Sequence, residues 1–556
     1  MNKKSLSLVF AMILSIILNL FTGALTVYAE GDYLKIYDST VEFKHFYFET
    51  DQDNLLVNYD ENKIVTTTFN TKVIENAYIK VTLLAEYGGR ILSIIYKPTG
   101  HEMLYQNPIG TPYGIKEGNF YYDWLMVYGG IFPTFPEPEH GKAWCLPWEE
   151  KIIEESEDKI SAEMSFTDTI APVDGIPGKF NNGRSDITCV STVTVYRDKS
   201  YVDYNLKLIN NRNEEVDYEY WTCITFAPGS EPGNAYCPPD TEMVVPIKQV
   251  VLKDDWWPWM GSVDTPVNKS KHVFEYNNLA YFKNWEDMGI AYAYPGVSEN
   301  WWGVINHENQ MGLLRIADNK NHTPGLKFWT WGIDSLNTNP ETFGDSSRGY
   351  IELWAGHSPE FFTATAMAPN EEKVWTEYYI PTSGLSAVTC ANKNAAVFFD
   401  YNEITNNYNF ISEIFTTHPN KNLNVQFYVK STDTFEIYKD TFVSNPETAH
   451  KFEFTLPKTD IGEDFDGFEI VLTDEENNIL LQTEIPVKTE TAEETAEELS
   501  DETAGDPNED SVETIDAVPI SENNGSLLHF MIAGGILVVA AVVFAIIKLM
   551  EENKNN

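Results

Sequence analysis

The stretch GLKFWTWG, residues Gly325 to Gly332, decides how this chain is read. As a β-strand it sends alternate side chains to opposite faces. Leu326, Phe328 and Thr330 then point one way, and Lys327, Trp329 and Trp331 the other. The first set suits a packed core; two indoles and an ammonium on one face do not. The later stretch GYIELWAG (349–356) has the same character, with Ile351, Leu353 and Ala355 on one face and Tyr350, Glu352 and Trp354 on the other. Paired with like faces together, the two strands would line one wall with three indoles, a phenol, a carboxylate and an ammonium.

Outward from these strands the chain keeps the same grammar. AYIKVTLLAEY (77–87), RILSIIYK (90–97), SDITCVSTVTVYRD (185–198), SYVDYNLKLIN (200–210) and DYEYWTCITFA (217–227) are rich in β-branched and aromatic residues. Gly, Asn, Asp and Pro interrupt them at short intervals, and no long helical period intervenes, so the reading is all-β. A boundary falls near Pro381 to Gly384. Beyond it, residues 386–488 carry about seven short strand patterns, which fits a small Ig-like β-sandwich. Residues 36–385 are too many for one ordinary sandwich, so a large β-supersandwich is expected there.

Both ends read as membrane signals. Residues 1–29 hold Lys3 and Lys4, an apolar run and a small-residue close at Ala29, the pattern of a secretory signal peptide. Residues 489–526 carry 13 acidic side chains and no Lys or Arg, the composition of a disordered acidic stalk. Leu527 to Ile547, within a span 527–549, is long and apolar enough for a C-terminal transmembrane helix, followed by a short cytoplasmic tail, 550–556. The expectation is a chain secreted through its signal peptide and anchored in the cell membrane with its large domains extracellular. The 38 basic and 84 acidic residues give a net charge of −46. A chain so poor in cations is not a nucleic-acid binder. Five cysteines lack metal-finger spacing; they read as small buried hydrophobes, with a Cys223–Cys237 bridge as the alternative. No metal or cofactor motif is present, and neither GxSxG with triad spacing, HExxH, a P-loop nor a dinucleotide fingerprint occurs.

Three stretches together carry a resemblance: EYGGRILSIIYKPTGHEMLYQN (86–107), YGGIFPTFPEPEH (128–140), and GLLRIADNKNHTPGLKFWTWG with GYIELWAGHSPEF (312–361). They resemble the galactose mutarotase-like (aldose 1-epimerase-like) superfamily, and within it a domain-of-unknown-function family, number 5107. The resemblance implies a β-supersandwich with a concave face that receives a carbohydrate. Residue chemistry points the same way: flat aromatics bury the C–H face of a pyranose, and charged groups bond its hydroxyls.

By that resemblance Glu352, in YIEL, corresponds to the general base of mutarotases; the alternative is a carboxylate that only bonds a ligand or pairs with Arg348 or Lys327. The acid is missing from its expected place, where YWTCITFAP offers Trp221, Thr222 and Cys223 instead of His. His140 and His357 are the candidate proton donors. Lys327, Trp329, Trp331, Arg348, Tyr350 and Trp354 are candidate ligand contacts. Arg90, in GGRI, either binds the ligand or caps the Gly88-Gly89 turn. Trp124 and Trp144 lie in loops and suit either binding or packing. The first expectation is an extracellular membrane-anchored carbohydrate-binding protein. The alternatives are a sugar epimerase, hydrolase or lyase using Glu352 as base, and a non-catalytic structural or adhesive surface protein.

Overall fold

The computed structural model describes residues 33–50, 56–110, 129–137, 140–171, 183–252, 259–333, 349–432, 434–462 and 465–487. The signal segment, the acidic stalk, the C-terminal apolar span, Trp124 and Arg348 lie outside the described residues. Glu30–Lys488 makes one compact unit. Among the described residues no helix is long and apolar enough to cross a membrane.

Strands dominate, as the alternating patterns predict. Two sheets, of thirteen and eight strands, form the bulk of the unit. Their facing sides share one core, in which Ile79, Ile224, Phe328 and Leu353 of the larger sheet meet Ile160, Val193, Leu206 and Leu313 of the smaller. In the smaller sheet Val202–Asn210 is covered on one side only, alternating strictly between buried and part-exposed positions. The middle of the larger sheet differs. Ile351–Gly356 is buried at all six positions and Trp221–Ser230 at nine of ten. Those strands are covered on both faces, so a second layer lies over the side away from the shared core.

Residues 390–486 add two further four-stranded sheets around a core of their own, including Phe399, Phe410, Phe427, Phe454 and Ile470. Backbone bonds tie them to the larger body, from Ser200 N to Thr417 O at 3.1 Å and from Ala449 N to Ser383 O at 2.8 Å. The described helices are single turns, such as Met260–Val263 and Lys458–Ile461. All five cysteines are free, and four are buried. The alternative Cys223–Cys237 bridge is thus not formed; both thiols serve as core hydrophobes.

One indole shows how sequence sets this packing. Trp221 stands opposite Gly356 in the sheet, and Gly356 stands opposite Gly325. A Cβ on Gly356 would lie 2.4 Å from the Trp221 ring, and one on Gly325 would lie 1.9 Å from Ser358 O. The two glycines clear the space in which the indole lies across its neighbours. Gly356→Ala is expected to destabilise the protein by about 2 kcal/mol or more through overpacking. Urea denaturation tests this, and an unchanged midpoint would remove the steric account.

Candidate functional site

The site is a patch on the larger sheet, on the face away from the shared core. Strand register builds it in rows. Phe132, Cys223, Trp354, Lys327, Tyr292 and Val251 stand directly opposite one another across six strands. The next row holds Thr225, Glu352, Trp329 and Ile290. The intervening row, which includes Ile224, Leu353, Phe328 and Ala291, belongs to the shared core. The period-two reading of 325–332 and 349–356 therefore holds at every core-facing position tested, and the polar faces coincide.

Glu352 is 5% exposed, so its carboxylate needs internal donors. Trp354 Nε1 donates to Oε2 at 2.7 Å, and the Tyr350 hydroxyl donates to Oε1. Burial and the nearby carboxylate raise Tyr350 well above the usual phenol range, which keeps its proton in that bond. Lys327 is also buried. Its Nζ lies 4.5 Å from the Trp354 ring centre and 4.3 Å from that of Phe361, a cation held between two aromatic faces. On the other side of Glu352, the half-buried Trp329 packs on Trp331 at 4.5 Å and on Tyr350 at 5.8 Å. The centre of the face is thus enclosed, contrary to an open concave surface. Phe361 and Trp144 cover it, while Trp329 and Trp331 remain partly accessible.

Arg90 resolves in favour of structure. It is fully buried and reaches three backbone carbonyls, from Nε to Tyr87 O at 2.7 Å, Nη1 to Gly129 O at 2.8 Å and Nη2 to Trp144 O at 2.6 Å. Its guanidinium also sits 4.4 Å from the Phe132 ring. It fixes the loops that bear Gly129 and Trp144 at the edge of the face.

His140 belongs to the site. Its ring stacks on Trp144 at 4.6 Å and meets Trp354 edge-on at 5.3 Å. Burial, with the charges of Lys327 and Arg90, pushes its imidazole down to about 3. It is therefore neutral at neutral pH and does not hold the extra proton a resting general acid needs. Among the described residues, His140 Nδ1 and Trp144 Nε1 are buried polar atoms with no hydrogen-bond partner. Such atoms cost free energy unless something pairs with them.

His357 does not belong to the site. It shares parity with Ile351, Leu353 and Ala355, so it faces the shared core. There it accepts or donates at Nδ1 with the Tyr218 hydroxyl at 2.8 Å and packs on Tyr220 and Trp375 at 5.0 and 4.5 Å. Burial pushes it, too, down to about 3. Proximity in sequence to Glu352 made it a candidate proton donor; strand alternation places it on the opposite side.

Sequence reasoning passed over Glu219, Tyr292 and Phe361. Glu219 precedes Trp221 by two residues. It accepts from Phe362 N at 3.1 Å and faces Trp221 Nε1 at 3.5 Å. The parity that puts Trp221 and Cys223 on this face would have found it. Burial lifts its carboxyl from 4.5 to about 7. Between those values the unfolded chain ionises Glu219 while the folded chain keeps it protonated. The folded state then holds more protons, and stability falls as pH rises through that window. Glu219→Gln should abolish this fall, gaining on the order of 2–3 kcal/mol relative to wild type between pH 4 and pH 8. Urea denaturation across that range measures it, and a pH-independent difference would refute it.

The chain matches the family described as "Domain of unknown function (DUF5107)" over residues 55–382, more than half its length. It is similar in structure to a TPR-domain containing protein from Parabacteroides distasonis, at 16% identity and a TM-score of 0.47, over 63% of this chain. The match spans only 55% of that protein's chain. It is similar to a putative aldose 1-epimerase from Klebsiella pneumoniae, at 12% identity and a TM-score of 0.40, covering 63% of this chain and 91% of that one. A galactose mutarotase-like protein from Clostridium acetobutylicum aligns at 13% identity and a TM-score of 0.38, over 57% of this chain and 96% of its own. By the extent of the family match, the chain belongs to the DUF5107 family.

Proposed function

We propose that the protein binds carbohydrate outside the cell, at the face around Glu352, and is held to the membrane by the C-terminal apolar span. In this reading residues 1–29 direct secretion, 489–526 form the stalk, and the sheets of 386–488 are an Ig-like module. The observation that carries the binding site is the grouping of an oriented carboxylate, Glu352, with the Trp329 indole directly opposite it. Beside them lie buried polar atoms of His140 and Trp144 that lack partners among the described residues. An indole face suits the apolar face of a pyranose, and the sugar hydroxyls supply both donors and acceptors for the polar atoms.

The second reading is an enzyme in which Glu352 removes a proton from a sugar. Its carboxylate is oriented by two internal donors, but the neighbouring imidazole is neutral at working pH. Binding is therefore the preferred reading.

Tryptophan fluorescence titration against a panel of free sugars and oligosaccharides tests both. Trp329→Ala is expected to weaken binding about tenfold or more, equal to about 1.4 kcal/mol. Glu352→Gln should retain affinity within about tenfold if the protein is a binder, whereas an enzyme would lose about 10²–10⁴ in turnover. A wild-type protein whose fluorescence responds to no saccharide would sink the binding proposal and favour a structural or adhesive role.

A further inference from the structure

Phe362 is a phenylalanine in the left-handed region, with φ of 61°. Only a small fraction of non-glycine residues adopt that conformation, and a bulky one there is strained. It is also 50% exposed, the one phenylalanine among the exposed large hydrophobics of the described residues. Its neighbour Phe361 does the opposite. That ring is buried against Trp221 at 4.9 Å, Trp354 at 5.4 Å and Tyr292 at 6.4 Å, with the Lys327 ammonium on it. The two adjacent rings meet edge-on at 6.4 Å, with Phe361 buried in the roof of the site and Phe362 half exposed on its outer side. The left-handed turn is pinned by the buried Phe361 ring and by the Phe362 N–H donating to Glu219 Oε2 at 3.1 Å. Strain fixed in this way at the margin of a site is a reason to ask what the outward ring does.

A second aromatic lies at the same margin. Tyr294 follows Tyr292 by two residues on the strand Gly289–Tyr294, so it shares the face that Phe361 covers. It is 40% exposed. Tyr292 contacts Phe361, and Tyr294 continues outward from it. This margin is the end of the patch opposite Trp329 and Trp331: Trp331 and Gly325 are six residues apart, about 20 Å of extended strand. One pyranose does not fill that length.

We infer that Phe362 and Tyr294 form an outer subsite that stacks a second or later sugar unit, so the ligand is an oligosaccharide or a glycan chain and not a free monosaccharide. This rests on the carbohydrate-binding reading above. A terminal sugar rests on the partly accessible Trp329 and Trp331, and the units that follow pass over the roof to the exposed rings. Aromatic faces serve this purpose because each sugar unit presents an apolar C–H face, whatever its hydroxyl pattern.

The full chain, in detergent, is titrated by tryptophan fluorescence with gluco-, galacto-, manno- and xylo-oligosaccharide series from one to six units. The expected result is affinity that rises at least tenfold from the monosaccharide to the longer members of one series. Phe362→Ala removes about tenfold from the longer members and leaves the monosaccharide unchanged. Phe362→Tyr restores the affinity. Phe362→Gly relieves the left-handed turn and raises the melting temperature, yet loses the same affinity, which separates stacking from folding. Wild-type binding with no dependence on chain length overturns the outer subsite alone, as does equal weakening of every length by Phe362→Ala. Absence of binding to any saccharide overturns the carbohydrate reading itself, and this inference with it.

Discussion

Glu352 sits on a strand covered on both faces, and much of the site follows from that constraint. A carboxylate so placed has little water to bond, so the protein must supply donors. It does so from the same strand, with Tyr350 on one side and Trp354 on the other, each two residues away. The period of two that makes a strand half-polar also makes these three side chains neighbours. The same burial governs Arg90, whose charge is spread over three loop carbonyls, and Glu219, which meets a backbone N–H and an indole N–H. Orientation of the site is thus a consequence of satisfying buried polar groups, and the loops that cover the face are held by the same bonds.

A second buried acid shows what a purely structural solution looks like. Glu377 lies between the two large sheets. It accepts from Arg315 Nε at 2.8 Å, Thr222 Oγ1 at 2.9 Å, Trp375 Nε1 at 3.0 Å and the Tyr379 hydroxyl at 2.6 Å. The adjacent guanidinium outweighs burial and holds its carboxyl below the usual range. Here charge meets charge, and polar atoms surround both. Glu352 accepts from the Tyr350 hydroxyl and the Trp354 indole, and Lys327 Nζ lies over aromatic faces. One arrangement locks two sheets together; the other presents polar atoms within an aromatic enclosure.

What sequence reveals here is what a two-residue period reveals. The alternation in 325–332 groups Lys327 with Trp329, and that in 349–356 groups Glu352 with Trp354; the strand pairing then brings the two faces together. The same rule, applied one step further, puts His357 on the core side and Glu219 on the site side. The all-β class and the two large sheets are legible from dense, evenly punctuated strand patterns. The cover is not. Phe361 reaches Lys327 across a loop, and Arg90 reaches Trp144 O from 54 residues away. Those contacts depend on how loops close over the sheet, and local periodicity carries no record of it. An exposed platform is the natural expectation from the strands alone, and the enclosed centre is the tertiary correction to it.

The balance between binding and catalysis turns on protons. A base that works on a sugar hydroxyl needs an acid to protonate the departing or ring oxygen. Trp221 and Cys223 occupy this face where a histidine would have served, and Cys223 is raised well above its usual range by burial and by Glu352. His140 is within reach of the same rings but is uncharged at working pH. On this side burial lifts the Glu219 carboxyl to about 7. Glu219 is held by Phe362 N and lies near Trp221 Nε1, whereas Glu352 is held by Tyr350 and Trp354, so different donors orient the two carboxyls. One carboxylate oriented by two donors, aromatic walls and an uncharged imidazole are the features on which the binding reading rests.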